Sequence, residues 1–196
     1  MLPHPPQTRA QVFELSKLNL EASRNRYWVE GEPEAVLVVE FFDDDTERLH
    51  RRADRLIEAF RAAGMGYAFP IVESARVPQV WAVRKAGLGL LTGQRGDHKP
   101  VTVVEDVAVA PADLPEYVRR MQALMAHHGA SAVYYGHASV GELHVRPVLS
   151  FRDPDDVRKF REIASDVADL AGEFNASLAG EHGVGRLRAE FIEQVL

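Results

Sequence analysis

His137 and His144 stand seven positions apart, with Gly141 between them, in the run Gly136-His137-Ala138-Ser139-Val140-Gly141-Glu142-Leu143-His144. Ala132-Val133-Tyr134-Tyr135 precede the run, and Val145 and Val148 follow it. The pattern reads as strand, tight turn, strand. A two-residue turn at Val140-Gly141 pairs Ala138 with Leu143 and His137 with His144, and sets Arg146 opposite Tyr135 on the same face. Opposed residues share a face, with Cβ atoms about 4.5–5.5 Å apart. Two imidazoles so placed can share one metal ion. Val140 is the weak point of this register, because a β-branched residue resists the positive φ of a primed turn. A longer loop shifts the pairing and still lets both histidines converge. Glu142 receives no assignment, since its place relative to the histidine face depends on that turn.

A histidine pair alone is more often packing or surface. A second stretch, Gly180-Glu181-His182-Gly183, changes the balance. It follows the short apolar run Ala176 to Ala179 and precedes Val184-Gly185, which sets a carboxylate and an imidazole in a glycine-rich turn at a strand end. Two histidines and one glutamate are a common ligand set for catalytic zinc, with a position left open for water or substrate. The zincin helix signature is absent, so a metalloprotease has no support.

Other charged residues are weighed the same way. Arg84 and Lys99 flank a glycine-rich segment, Gly87 to Pro100. They read as two surface cations or as a carboxylate clamp, since Arg offers a planar fork and Lys a point charge. Gly87, Gly89 and Gly93 do not form a dinucleotide loop: Thr92 stands where the third glycine belongs, and the run follows a helix rather than a strand. Glu105-Asp106 interrupts an apolar strand pattern. Buried acids need partners, and both a site-facing role and a structural salt bridge stay open. Asp43-Asp44-Asp45 is better read as helix capping than as a cation site. His4, His50, His127 and His128 read as structural.

The elements that must position these residues follow from periodicity and punctuation. A first helix capped near Thr8 uses Val12 and Leu15. Ala35 to Phe42 reads as a covered strand. A helix carries Leu49, Ala53, Leu56, Ile57 and Phe60 inward and ends at Gly64. Tyr67 to Glu73 is a strand, and Pro78 opens a helix bearing Val80, Trp81 and Arg84. Val101 to Val109 is a third strand. A helix runs from Asp113-Pro115 to Gly129, and the hairpin follows. A long helix runs from Asp153-Pro154 to Gly172, a short strand leads to Glu181, and Arg188 begins a last helix. The order predicts an α+β chain: an antiparallel sheet with helices packed on one face.

The motifs WAVRKAG (Trp81 to Gly87), DHKP (Asp97 to Pro100), EDVAV (Glu105 to Val109), GHASVGELHVRP (Gly136 to Pro147) and GEHGVGR (Gly180 to Arg186), in that order, resemble the C-terminal domain of FAD-linked oxidases. This is the group of D-lactate, glycolate and D-2-hydroxyglutarate dehydrogenases. The wording of the hairpin is most similar to the branch fused to an iron–sulfur region. The resemblance implies a duplicated ferredoxin-like arrangement acting as a substrate cap, over residues 34–196. Residues 1–33 would be a helix and connection from an FAD-binding domain, and the chain a fragment inactive by itself. It also implies a 2-hydroxy acid substrate, FAD held by another domain or subunit, and an iron–sulfur domain or subunit as a further partner. In that picture Arg84 and Lys99 hold substrate carboxylates. His137, His144 and Glu181 hold a divalent metal, with zinc the first choice, and His182 is the general base. The chain departs from the wider family at Val140 and Glu142, where many members carry an acidic residue and an asparagine. It departs again at Leu88, in place of a threonine, and at Arg146, in place of an asparagine. Arg146 would add a carboxylate contact.

Bulk properties set the limits. The 196 residues suffice for one sizeable domain, and 46% hydrophobic residues supply a core. A net charge of −6 argues against nucleic acid or an anionic membrane surface as partner. Met1-Leu2-Pro3-His4-Pro5-Pro6 lacks the basic and apolar regions of a signal peptide, and no apolar run reaches membrane-spanning length. Zero cysteines excludes disulfides, thiol catalysis and iron–sulfur ligation within the chain. The cytoplasm is the expected location. Two rivals from other classes remain at this level: a non-catalytic metal-binding or structural module, and a metal-dependent hydrolase using the same two-His, one-Glu set.

Overall fold

The computed structural model describes residues 15–195. The expected cap at Thr8, the apolar position Val12 and His4 lie outside them. The chain divides into two units, one running to Leu91 and the other from Thr92 onward.

The first unit is helical among its described residues. Helix α1 (Leu20–Asn25) is capped by Asn19, whose side chain accepts the N–H of Ala22. Helix α2 (Thr46–Ala62) is capped by Asp45, which accepts the N–H groups of Glu47 and Arg48. Asp43 pairs with Arg48, so the acidic run does cap a helix. Gly64 takes φ +66 just beyond α2, as its stop signal required. A 3-10 turn (Ser74–Arg76) leads into α3 (Val77–Thr92), which continues through Gly87 and Gly89 where a loop was expected.

The two strands expected here do not form. Residues 35–42 and 67–73 make no ladder. Leu37, Val39, Phe42, Tyr67 and Ile71 are exposed. The stripe Leu49, Ala53, Leu56, Ile57 and Phe60 has the expected phase on α2, but none of it is fully buried. An apolar run becomes a strand only when a neighbour takes up its main-chain N–H and C=O groups, and the described residues of this unit supply none. The expected duplication of a ferredoxin-like motif therefore has no counterpart among the described residues of this unit.

The second unit holds the sheet. Strand β1 (Lys99–Pro100) precedes the expected third strand, and strand β2 (Val107–Ala108) is the ladder-forming piece within it. Helix α4 (Leu114–His127) follows, with Gly129 at φ +61 beyond it. Strand β3 (Ala132–His137) pairs antiparallel with β4 (Glu142–Leu149), and both β1 and β2 pair antiparallel with β4 as well. β4 is thus the centre of the sheet. Helix α5 (Pro154–Glu173) is capped by Asp153, and a single bridge joins Ala108 to Ser177. The end of the chain forms α6 (Gly185–Arg188), a 3-10 turn (Ala189–Phe191) and α7 (Ile192–Val195). Among the described residues no helix is long and apolar enough to cross a membrane.

The core explains why β4 is buried nearly throughout. Leu143, Val145 and Leu149 belong to one cluster with Tyr117, Met121 and Met125 of α4 and Ile163, Val167, Leu170 and Ala171 of α5. Each large apolar side chain buried there contributes about 1.5–3 kcal/mol. Side chains alternate along a strand, so Glu142, His144 and Arg146 point away from this cluster, yet they too are buried.

Asp156 fixes the start of α5 to the end of β4. Its carboxylate accepts Ser150 N–H at 2.9 Å and Lys159 Nζ at 3.1 Å, and His98 Nε2 lies 3.7 Å away. Burial opposes its ionisation, but the Ser150 N–H and the Lys159 ammonium outweigh it and hold the carboxyl below the ordinary value of 3.8. A carboxyl depressed on folding contributes stability above its unfolded value, and loses it as the pH falls through the folded one. Asp156→Asn is expected to cost about 1–3 kcal/mol near neutral pH. The difference from wild type should shrink as the pH drops below 3.8. Denaturant unfolding across that range checks both the size and the sign.

Candidate metal and substrate site

The hairpin register decides which side chains meet. Tyr135 pairs with His144, Gly136 with Leu143, and His137 with Glu142. The expected opposition of His137 to His144 is therefore corrected by two residues, and Arg146 faces Val133 rather than Tyr135. Val140 avoids the positive φ it resists by entering a 3-10 turn (Ala138–Val140), and Gly141 takes it instead at φ +72. Gly141 is also held by crowding, since a Cβ there would meet the carbonyl of Val109. A shift of two residues preserves parity in a strand. His137, Glu142, His144 and Arg146 consequently stay on one face.

The second stretch reaches this face through Asp106. Asp106 has no solvent exposure and sits at φ +79, a conformation that Asp tolerates better than most residues. Its carbonyl accepts Gly180 N–H at 2.7 Å. Its two carboxylate oxygens accept Glu181 N–H and His182 N–H, each at 2.8 Å. Burial opposes ionisation of this carboxyl, but the two loop N–H groups overcome it and hold it below its usual value. Arg188 lies 3.5 Å from the same carboxylate and donates to the carbonyls of Leu178, Gly183 and Glu105.

Four donors then converge. Glu181 Oε1 lies 3.7 Å from His137 Nε2, 3.3 Å from His144 Nε2 and 3.3 Å from His182 Nε2. Glu142 Oε1 lies 3.5 Å from His144 Nε2. Ligand atoms held about 2.0–2.2 Å from one tetrahedral ion stand about 3.3–3.6 Å apart. Ligand atoms of His137, Glu142, His144 and Glu181 all fall within 4.8 Å of one another, so these residues fit a divalent cation. The floor of the site is buried, with His144 at 3% and Glu142 at 5% side-chain exposure. The rim is open, with His137 at 43% and Glu181 and His182 at 46%.

His182 stacks on His144 at 5.2 Å, and its Nδ1 lies 3.8 Å from Glu105 Oε1. Arg146 is paired with Glu105 at 2.5 Å and donates to the Tyr135 hydroxyl. Glu105 and Asp106, left open between two roles by the sequence, thus take both: one braces Arg146 beside His182, and the other holds the loop. Lys99 donates to the carbonyls of Thr92 and Gln94 in the second unit. Arg84 is half-buried on α3 in the first unit.

Glu142 receives no assignment from the sequence, because its face depends on the turn. Burial, together with the neighbouring Asp106 and Glu181 carboxyls, pushes its own carboxyl up to about 7. Asp106 stands out in the sequence as an acid inside an apolar strand pattern, but nothing local names the 180–183 loop as its partner.

Asp106→Asn isolates the loop tether, since Asn tolerates the same φ but offers one acceptor oxygen where Asp offers two. The substitution is expected to cost about 1–3 kcal/mol. Amide hydrogen exchange should accelerate at Glu181 and His182 before it does so in α4 or α5. Uniform exchange across the second unit would contradict the tether.

A family model described as FAD linked oxidases, C-terminal domain, matches residues 11–195. The D-2-hydroxyglutarate dehydrogenase of Escherichia coli (strain K12) is 37% identical over 161 residues, which cover 82% of this chain and 15% of that protein. The D-2-hydroxyglutarate dehydrogenase of Haemophilus influenzae is 32% identical over 187 residues, covering 90% of this chain and 18% of that protein. The D-lactate dehydrogenase of Archaeoglobus fulgidus is 28% identical over 170 residues, covering 86% and 34%. The chain therefore spans less than a fifth of the length of the two hydroxyglutarate enzymes.

Proposed function

We propose the following role for a chain that belongs to the C-terminal domain family of FAD-linked oxidases: it is the substrate- and metal-binding part of an FAD-dependent D-2-hydroxy acid dehydrogenase, of the D-lactate, glycolate or D-2-hydroxyglutarate type. The flavin is bound by another domain or subunit, and an iron–sulfur domain or subunit carries electrons onward. The observation that supports this reading best is the convergence of His137, His144 and Glu181. Two of them come from opposite strands of one hairpin and the third from a loop tethered across the sheet.

In this reading His137, His144 and Glu181 hold a divalent ion, with zinc favoured by the imidazole-rich donor set. When bound, the ion supplies Lewis acidity toward the substrate's 2-hydroxyl, and the flavin accepts the hydride equivalent from C2. The protein's own residues do the rest. Arg84 and Lys99 bind carboxylate oxygens, Arg by a bidentate fork and Lys as a point charge. Arg146 adds a further carboxylate contact. His182 takes the hydroxyl proton as general base. Glu105, 3.8 Å from His182 Nδ1, stabilises the imidazolium that forms, since an opposite charge favours the charged state. The buried floor of His144 and Glu142 keeps water from one side of the reacting centre, while the half-exposed rim leaves it open to substrate.

Two measurements test the reading. Elemental analysis of the purified chain is expected to find about one zinc-like ion per chain, lost in His144→Ala. In the polypeptide that also carries the flavin domain, Arg84→Ala is expected to lower kcat/KM for a D-2-hydroxy acid by about 10–100-fold, the loss of one charge-assisted contact of about 1.5–3 kcal/mol. An unchanged ratio removes Arg84 from the carboxylate clamp.

A further inference from the structure

Glu142 is the carboxylate on the histidine face to which the proposed chemistry gives no ligand or proton-transfer role. It is 5% exposed, and its Oε1 makes no hydrogen bond. It lies 3.5 Å from His144 Nε2, with Asp106 and Glu181 as its other acidic neighbours. A buried carboxylate set among two others, with no N–H donor on one oxygen, is costly unless it takes a proton or a cation compensates it. The fold also makes room for it. Gly180 lies against its side chain, and a Cβ at that position would stand 3.1 Å from Glu142 Cδ and 3.3 Å from Oε1. The register holds it in place, since His137 pairs directly with Glu142, and Ala108 of β2 pairs with it from the opposite edge.

We infer that Glu142 is a fourth ligand of the ion held by His137, His144 and Glu181, so that the site is a two-imidazole, two-carboxylate centre rather than a two-imidazole, one-carboxylate one. The inference rests on the metal reading above and deepens it. Glu142 Oε1 stands 3.5 Å from His144 Nε2, and the ligand atoms of all four residues lie within 4.8 Å of one another. Two carboxylates balance a divalent charge in a setting where His144 and Glu142 are both shielded from water. The added hard donor also changes which ions compete. Imidazole suits zinc and other late transition ions, whereas carboxylate oxygen suits manganese. This chain should therefore accept Mn2+ more readily than a three-donor site would. The positions left for substrate must come from a coordination number above four.

The test is a pair of metal titrations on the 196-residue chain, with Zn2+ and Mn2+ each competing against a chromophoric chelator. A visible absorption spectrum of the Co2+ form accompanies them. Wild type, Glu142→Gln and His144→Ala are compared, with far-UV circular dichroism to confirm folding. Glu142→Gln keeps the shape and removes the charge. It is expected to weaken Mn2+ by about 100-fold and Zn2+ by about 10-fold, and to alter the intensity of the Co2+ bands. Should Glu142→Gln fail to fold, Gly180→Ala is read instead. It leaves the carboxylate present but crowds it, and a displaced Co2+ spectrum is then expected. Wild-type affinities in Glu142→Gln, or an unmoved Co2+ spectrum, alongside lost binding in His144→Ala would remove Glu142 from the ligand set and leave the three-donor reading intact. A wild-type chain that takes up none of the three ions overturns both.

Discussion

Asp106 accepts the main-chain N–H groups of Glu181 and His182, one on each carboxylate oxygen, from a position with no solvent exposure. Much of the site depends on this contact. The stretch at 180–183 has no helix or strand of its own to fix it, so without a buried acceptor the side chains of Glu181 and His182 would have no defined place relative to the hairpin. The cost of hiding a charge there is met by several donors at once: the loop N–H groups, and the Arg188 guanidinium, which also ties Leu178, Gly183 and Glu105 by their carbonyls. A buried ion with all its oxygens engaged is rigid, and its rigidity passes to the loop.

β4 performs the complementary task on the hairpin side. Its odd residues Leu143, Val145 and Leu149 enter the core under α4 and α5, and its even residues Glu142, His144 and Arg146 form the wall of the site. One strand is therefore both the middle of the hydrophobic layer and the floor of the polar one. Interiors are packed to crystal-like density, so a volume change at Val145 would be felt by His144 and Arg146 on either side of it. Pairing with β3 on one edge and with β1 and β2 on the other leaves β4 no freedom to slip.

The sequence shows the helices of the second unit, the hairpin and the residues that converge there, because their signals are local: a period of 3.6, a glycine after the last turn, alternation on both sides of Gly141. Two things were hidden from it. The turn length depended on whether Val140 or Gly141 bore the positive φ, and the answer moved the register by two. The identity of the loop's anchor lay far away along the chain, in an acid inside a valine-rich run. The apolar runs at 35–42 and 67–73 mark a different limit. Composition states what a segment could bury, while strand formation needs a partner, and the partner is not a property of the segment.

The contacts that complete the site are long in sequence. Asp106 reaches Glu181 and His182 across 75 and 76 residues, whereas His137 and His144 meet within one hairpin. Hairpins close in microseconds, but long loops must wait until the intervening helices have collapsed. The two imidazoles can therefore meet through local pairing of β3 with β4 alone, whereas Glu181 joins them only through a contact that closes across α4, the hairpin and α5. A change in the packing of those helices would disturb Glu181 while leaving the histidine pair in register.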